Sequence, residues 1–132
     1  MSAAGNRAVV ERLWQLFAAS AWDEAGTLLA DDFVAEWPDT GEVFRGRENF
    51  LNVQRYYPPV GWRIEPRRFI AEGDWVVADI AVPSNAGQFY VASFAEVRDG
   101  RIRRVREYWI EAGGSPRPEW RAQWAEPPGA AP

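Results

Sequence analysis

The chain contains no cysteine, no histidine and no lysine among its 132 residues. Each absence removes a chemistry. Without cysteine there is no disulfide, no thiolate nucleophile and no sulfur-ligated metal. Without histidine the commonest general base and the commonest transition-metal ligand are gone. All 15 basic residues are therefore arginine, and side-chain Schiff-base chemistry is excluded. Proton transfer is left to carboxylates and tyrosine, and no metal or cofactor is expected. The net charge of −4 argues against a nucleic-acid surface. No apolar run is long enough to span a membrane, and the start, MSAAGNRAVVERLW, lacks the apolar core of a signal peptide. A cytoplasmic protein is expected. What is present is a core: 47% of the residues are hydrophobic and 14% aromatic, sufficient for one globular domain.

Helical spacing dominates the first third. Asn6 can cap a helix running to about Ala19, with Val9, Leu13, Leu16 and Phe17 on one face. Ser20 followed by Asp23 predicts a capped second helix over Trp22 to Ala30. Phe33 to Trp37 reads as a short strand stopped by Pro38, and Asp39 to Gly46 as a loop. Arg47 to Tyr57 reads as a third helix ended by Pro58 and Pro59. From Gly61 onward the chain alternates: Trp62 to Ala71, with Pro66 marking an edge or a bulge, then Trp75 to Val82, Gln88 to Arg98 and Ile102 to Glu111. Residues 1–112 are read as a single domain and 113–132 as a tail. The tail is expected to dock Trp120 and Trp124 through one helical turn and to end in disorder. Helices early and antiparallel strands late give an α+β fold, with three helices packed on one face of a curved sheet.

The last strand carries the candidate chemistry. It follows an Asp-Gly turn, Asp99–Gly100, a strong hairpin signal. Period two places Val105, Glu107 and Trp109 on one face and Ile102, Arg104, Arg106 and Tyr108 on the other. The first face is mostly apolar and is assigned inward, which puts the Glu107 carboxylate between Val105 and Trp109. The residues alone leave two readings open: a buried acid or base with a raised pKa, or a structural carboxylate held by arginine or by aromatic donors.

The order of elements, with ADDF-x-x-E-W-P after the second helix, F-R-G before the third and R-D-G-R-I…R-E-Y-W-x-E at the end, resembles the nuclear transport factor 2-like superfamily, in particular its SnoaL-like branch. The resemblance covers about Asn6 to Glu111 and implies a cone-shaped fold with an apolar cavity between helices and sheet. That fold hosts isomerases, dehydratases, cyclases, epoxide hydrolases and non-enzymes. Residue by residue it mostly excludes. The general base, oxyanion tyrosine and protonated aspartate of ketosteroid isomerase align with Trp37, Leu13 and Ser93, so all three groups are missing. The scytalone dehydratase pattern needs histidines. The SnoaL cyclases carry an aspartate base where Ser93 stands. The last strand is similar to the W-R-D-Y-F of limonene epoxide hydrolase, with Glu107 at the acid position. That enzyme's companion Arg-x-Asp maps onto Val77-Ala78-Asp79, where the arginine is absent.

Glu107 and Asp79 are therefore the catalytic candidates. For Asp79 the alternation is double-edged: Val76, Ala78, Ile80 and Val82 form the cleaner apolar phase, and a one-residue change in the turn after Val82 would flip the faces. Leu13, Phe17, Trp37, Phe50, Ser93, Val105 and Trp109 are expected to line an apolar small-molecule pocket, with Gln54 and Tyr57 at its edge; a plain core is the competing reading. Tyr90, Ala92, Phe94 and Tyr108 share the outer face, which predicts a homodimer through the sheet.

Overall fold

The computed structural model describes residues 2–132. Its elements run α1 (Ala3–Ala18), α2 (Trp22–Gly26), β1 (Leu29–Trp37), β2 (Glu42–Arg45), α3 (Arg47–Arg55), β3 (Glu65–Glu72), β4 (Trp75–Ser84), β5 (Gly87–Arg98), β6 (Arg101–Glu111) and a 3-10 turn, Glu119–Trp124. One six-stranded sheet has the order β2-β1-β6-β5-β4-β3, with β1 parallel to β6 and every other pair antiparallel. The three helices pack on one face of this curved, open sheet, the expected α+β arrangement. No helix among the described residues is long and apolar enough to cross a membrane.

The α1 stripe buries Val10, Leu13, Trp14, Leu16 and Phe17 against the sheet. Its cap differs from the sequence reading. The Gly5 amide donates to the Ser2 hydroxyl at 3.0 Å, so the helix starts earlier and Asn6 lies within it. Asn6 is buried, and its Nδ2 donates to the Gly73 carbonyl at 3.0 Å, tying the helix to the β3–β4 turn. The second helix is also shorter than expected. Ser20 has φ 55° and supplies no cap, and Leu29 already belongs to β1. The stretch read as a loop after Pro38 contains β2, paired with β1 from Val34↔Arg45 to Trp37↔Glu42. Gly46, at φ 84°, then turns the chain into α3, a conformation that favours glycine.

The hairpins follow their turn chemistry. Asp99 and Gly100 both have positive φ, as a type I′ turn requires. Pro66 sits on the edge strand β3 beside a register shift, in agreement with its edge-or-bulge reading. A second irregularity was not legible. Glu96 pairs with Arg104 but Val97 pairs with Ile102, so Arg103 is an extra residue in β6. The bulge reverses the strand's phase, and Ile102, read as outward, is buried with Val105.

The tail forms its helical turn but does not dock its indoles: Trp120 and Trp124 remain 72% and 75% exposed. In an α-helix, residues four apart lie about 40° apart around the axis. In a 3-10 turn they diverge by roughly 120°, so the two rings share no face.

Candidate functional site

Four side chains meet on the inner face near the middle of β6. Ser93 lies directly opposite Glu107 across β5–β6, and Ala78 lies opposite Ser93 on β4. On the other side, Glu36 pairs with Arg106, which sets Trp37 beside Glu107. Glu107 is 3% exposed. The Trp37 indole Nε1–H donates to Glu107 Oε1 at 3.0 Å, and the Trp109 Nε1–H reaches the same oxygen at 3.4 Å. The two indoles meet edge to face, with ring centroids 6.4 Å apart. Among the described residues no arginine forms an ion pair with Glu107. Arginine therefore does not hold the carboxyl; the aromatic donors do.

Burial pushes the Glu107 carboxyl above the ordinary glutamate value, because the charged form loses its hydration. Hydrogen bonds from Trp37, Ser93 and Trp109 favour the charged form and pull it back only in part. The site thus contains an acid biased toward keeping its proton, with donor-only indoles fixing one oxygen.

The remaining candidates separate into three groups. Leu13, Phe17, Phe50 and Val105 are buried core residues. Phe50 is a hub, with ring centroids 5.2 Å from Phe33, 6.2 Å from Phe44 and 6.3 Å from Phe17. Gln54 is half-buried on α3. Tyr57 is exposed and stacks edge-on against Trp62, which in turn meets Phe89. Asp79 is a correction. Val76, Ala78, Ile80 and Val82 face the core, so the Asp79 carboxylate is exposed on the outer sheet face, opposite Ala92, and does not join Glu107. Asp79→Asn is accordingly expected to change stability by no more than about 0.5 kcal/mol in a urea melt and to leave any turnover unchanged; a tenfold loss of turnover would return Asp79 to the site.

Sequence reasoning missed Phe44, whose ring lies 4.9 Å from that of Trp37 and belongs to the unrecognised β2. The only available signal was Val43-Phe44 between two glycines. Two surface depressions, of about 430 and 250 Å3, are lined by other residues altogether. Among the described residues no three carboxylates stand together as metal ligands.

Comparison with known proteins agrees with this fold. Residues 10–105 match the family model described as SnoaL-like domain. No curated protein matches the chain. Among solved structures it is similar to a candidate ketosteroid isomerase from Kribbella flavida, at 29% identity and a TM-score of 0.85 over 97% of this chain and 93% of that one. It is similar to a nuclear transport factor 2-like protein of unknown function from Burkholderia xenovorans, at 27% identity and 0.74 over 95% and 96%. A limonene-epoxide-hydrolase-like epoxide hydrolase from M. tuberculosis aligns at 26% identity and 0.70 over 82% and 84%.

Proposed function

The chain belongs to the SnoaL-like domain family, and from that premise we propose that it binds an apolar small molecule within the cone and uses Glu107 for acid–base chemistry upon it. The observation that carries this reading is the buried Glu107 carboxyl with two indole N–H groups on one oxygen and no cationic partner. Both indoles bond Oε1, which leaves Oε2 to carry the proton. A carboxyl that retains its proton in a low-dielectric site can donate it to a ligand oxygen as that atom gains charge, and recover it from the product or solvent. The chemistry fits opening of an epoxide: the ring C–O bond breaks as its oxygen takes the proton, water adds to the carbon, and the proton that water sheds replenishes Glu107; an epoxide hydrolase is among the similar structures. In this reading Ser93 supplies a hydroxyl opposite the acid, Gln54 and Tyr57 the polar edge, and Leu13, Phe17, Phe50 and Val105 the packed apolar layer behind the site. A ligand reaches Glu107 by parting Trp37 from Trp109, both only half-buried.

A second reading has its own support. The indoles pack against each other over the carboxyl, and neither surface depression opens onto Glu107. On that reading the protein is a non-catalytic binding or dimerising module and Glu107 is a core polar group. The discriminating experiment is a titration of the 15N-labelled protein with a neutral epoxide such as limonene oxide, following indole N–H signals assigned through Trp37→Phe and Trp109→Phe. Saturable shifts of the Trp37 and Trp109 signals support the cone site. Shifts confined to the exposed Trp120 and Trp124 would remove it.

The outer face supports self-association. Phe94 and Tyr108 meet edge to face at 5.9 Å, with Tyr90 half-buried and Ile110 exposed beside them. The Arg106 guanidinium lies over both the Phe94 and Tyr108 rings, and its buried Nε has no hydrogen-bond partner within the chain. A second copy would cover this aromatic patch. Light scattering at micromolar concentration is expected to return the mass of a dimer; a mass near 15.0 kDa would exclude it.

A further inference from the structure

We propose that the depression at the β5–β6 hairpin end of the outer sheet face binds a phosphate dianion, free or as a small monoester, between Arg98, Arg103 and Arg104. In a regular strand Arg103 and Arg104 would point to opposite faces. The bulge opposite Glu96–Val97 changes that. Ile102 and Val105 both turn inward, so the two arginines between them both turn outward. Arg98 joins them from β5, and Asp32, Val34 and Glu96 complete the lining of a space of about 430 Å3. The depression is open to solvent on one side and has room for a phosphate carrying a small organic group.

The charges in the depression are incompletely matched. Arg103 Nη2 lies 3.6 Å from Asp32 Oδ2, and Arg98 Nη2 lies 3.9 Å from Glu96 Oε2. Both separations exceed the roughly 2.7–2.9 Å of a charge-assisted hydrogen bond. Arg104 forms no ion pair among the described residues. The carboxylates therefore steady two guanidinium groups without saturating them, and the third is free. A monocarboxylate brings one charge and would only stand in for Asp32 or Glu96. The lining carries three arginines and two carboxylates, a net charge of +1, so the preference for phosphate over a monocarboxylate rests on its larger set of acceptor oxygens, which can reach three planar donor forks. This site is independent of Glu107, which faces the other side of the sheet.

Isothermal titration of the wild-type protein with inorganic phosphate, phenyl phosphate and acetate, at constant ionic strength, tests the assignment. Saturable phosphate binding about tenfold tighter than acetate is expected, weakened about fivefold or more by Arg104→Ala or Arg103→Ala. Glu96→Gln is expected to tighten binding, because it removes the nearest competing anion. Tighter binding of phenyl phosphate assigns the site to a monoester; equal or weaker binding assigns it to the free anion. If loss of Arg103 loosens the bulge and the variant melts early, Arg104→Ala decides. Phosphate that fails to saturate, acetate that binds as tightly, or an Arg104→Ala protein that binds like wild type would each overturn the proposal.

Discussion

Glu107→Gln is expected to lower turnover of an epoxide substrate by about 10²-fold or more while leaving the fold intact. Glutamine keeps the shape, and its Oε1 still accepts from Trp37 and Trp109, but it has no proton to give. The same variant has a signature in stability. In the folded protein burial raises the Glu107 carboxyl above its ordinary value, which the unfolded chain retains. Between those two values the folded state holds a proton that the unfolded state has released. Wild-type stability is therefore highest below the ordinary glutamate value and falls as pH rises toward the folded one, by about 1.4 kcal/mol for each pH unit separating them. Glutamine does not titrate, so Glu107→Gln should gain on wild type as pH rises. Urea melts of both proteins at pH 4 and pH 8 read the difference. A gap that does not change with pH would mean that the carboxyl is well solvated. Loss of folding at both pH values, with ligand affinity unchanged in whatever folded protein remains, would make Glu107 structural and end the catalytic reading.

Phe50→Ala is expected to cost about 3–5 kcal/mol, a large part of the roughly 5–15 kcal/mol that holds a domain of this size. The ring is 1% exposed and contacts Phe17, Phe33 and Phe44, so truncation opens a cavity where α3 packs on β1 and β2. Phe50→Leu should recover most of the loss, since it keeps most of the volume. Denaturant unfolding measures both. A cost below about 1 kcal/mol for the alanine variant would mean that Phe50 walls an open space and not a filled core. The pair of variants therefore also asks whether the apolar end of the cone is pocket or core, which is the question left by the burial of Leu13 and Phe17 beside it.

Whatever depends on neighbours along the chain was legible before folding. The missing residue types excluded thiol, imidazole and lysine chemistry before any fold was considered. The stripe Val9, Leu13, Leu16 and Phe17 marked α1, Asp99–Gly100 marked the last hairpin, and alternation from Val105 to Trp109 placed Glu107 inward. Features that depend on partners far away in the chain arose only from packing. Trp37, seventy positions from Glu107, became its hydrogen-bond donor only because β1 lies alongside β6. Asp79 was turned outward by the pairing of β4 with β5, since one step of register exchanges the faces of a strand. The β6 bulge is a mismatch between two strands and leaves no mark on either sequence alone, yet it buried Ile102 and gathered Arg103 with Arg104. Strand β2 was hidden because four residues are too few to show a period, and only pairing with β1 stabilises them. Periodicity is a local property and can be read from one segment; register and burial are properties of two segments in contact, and they exist only once the chain has folded.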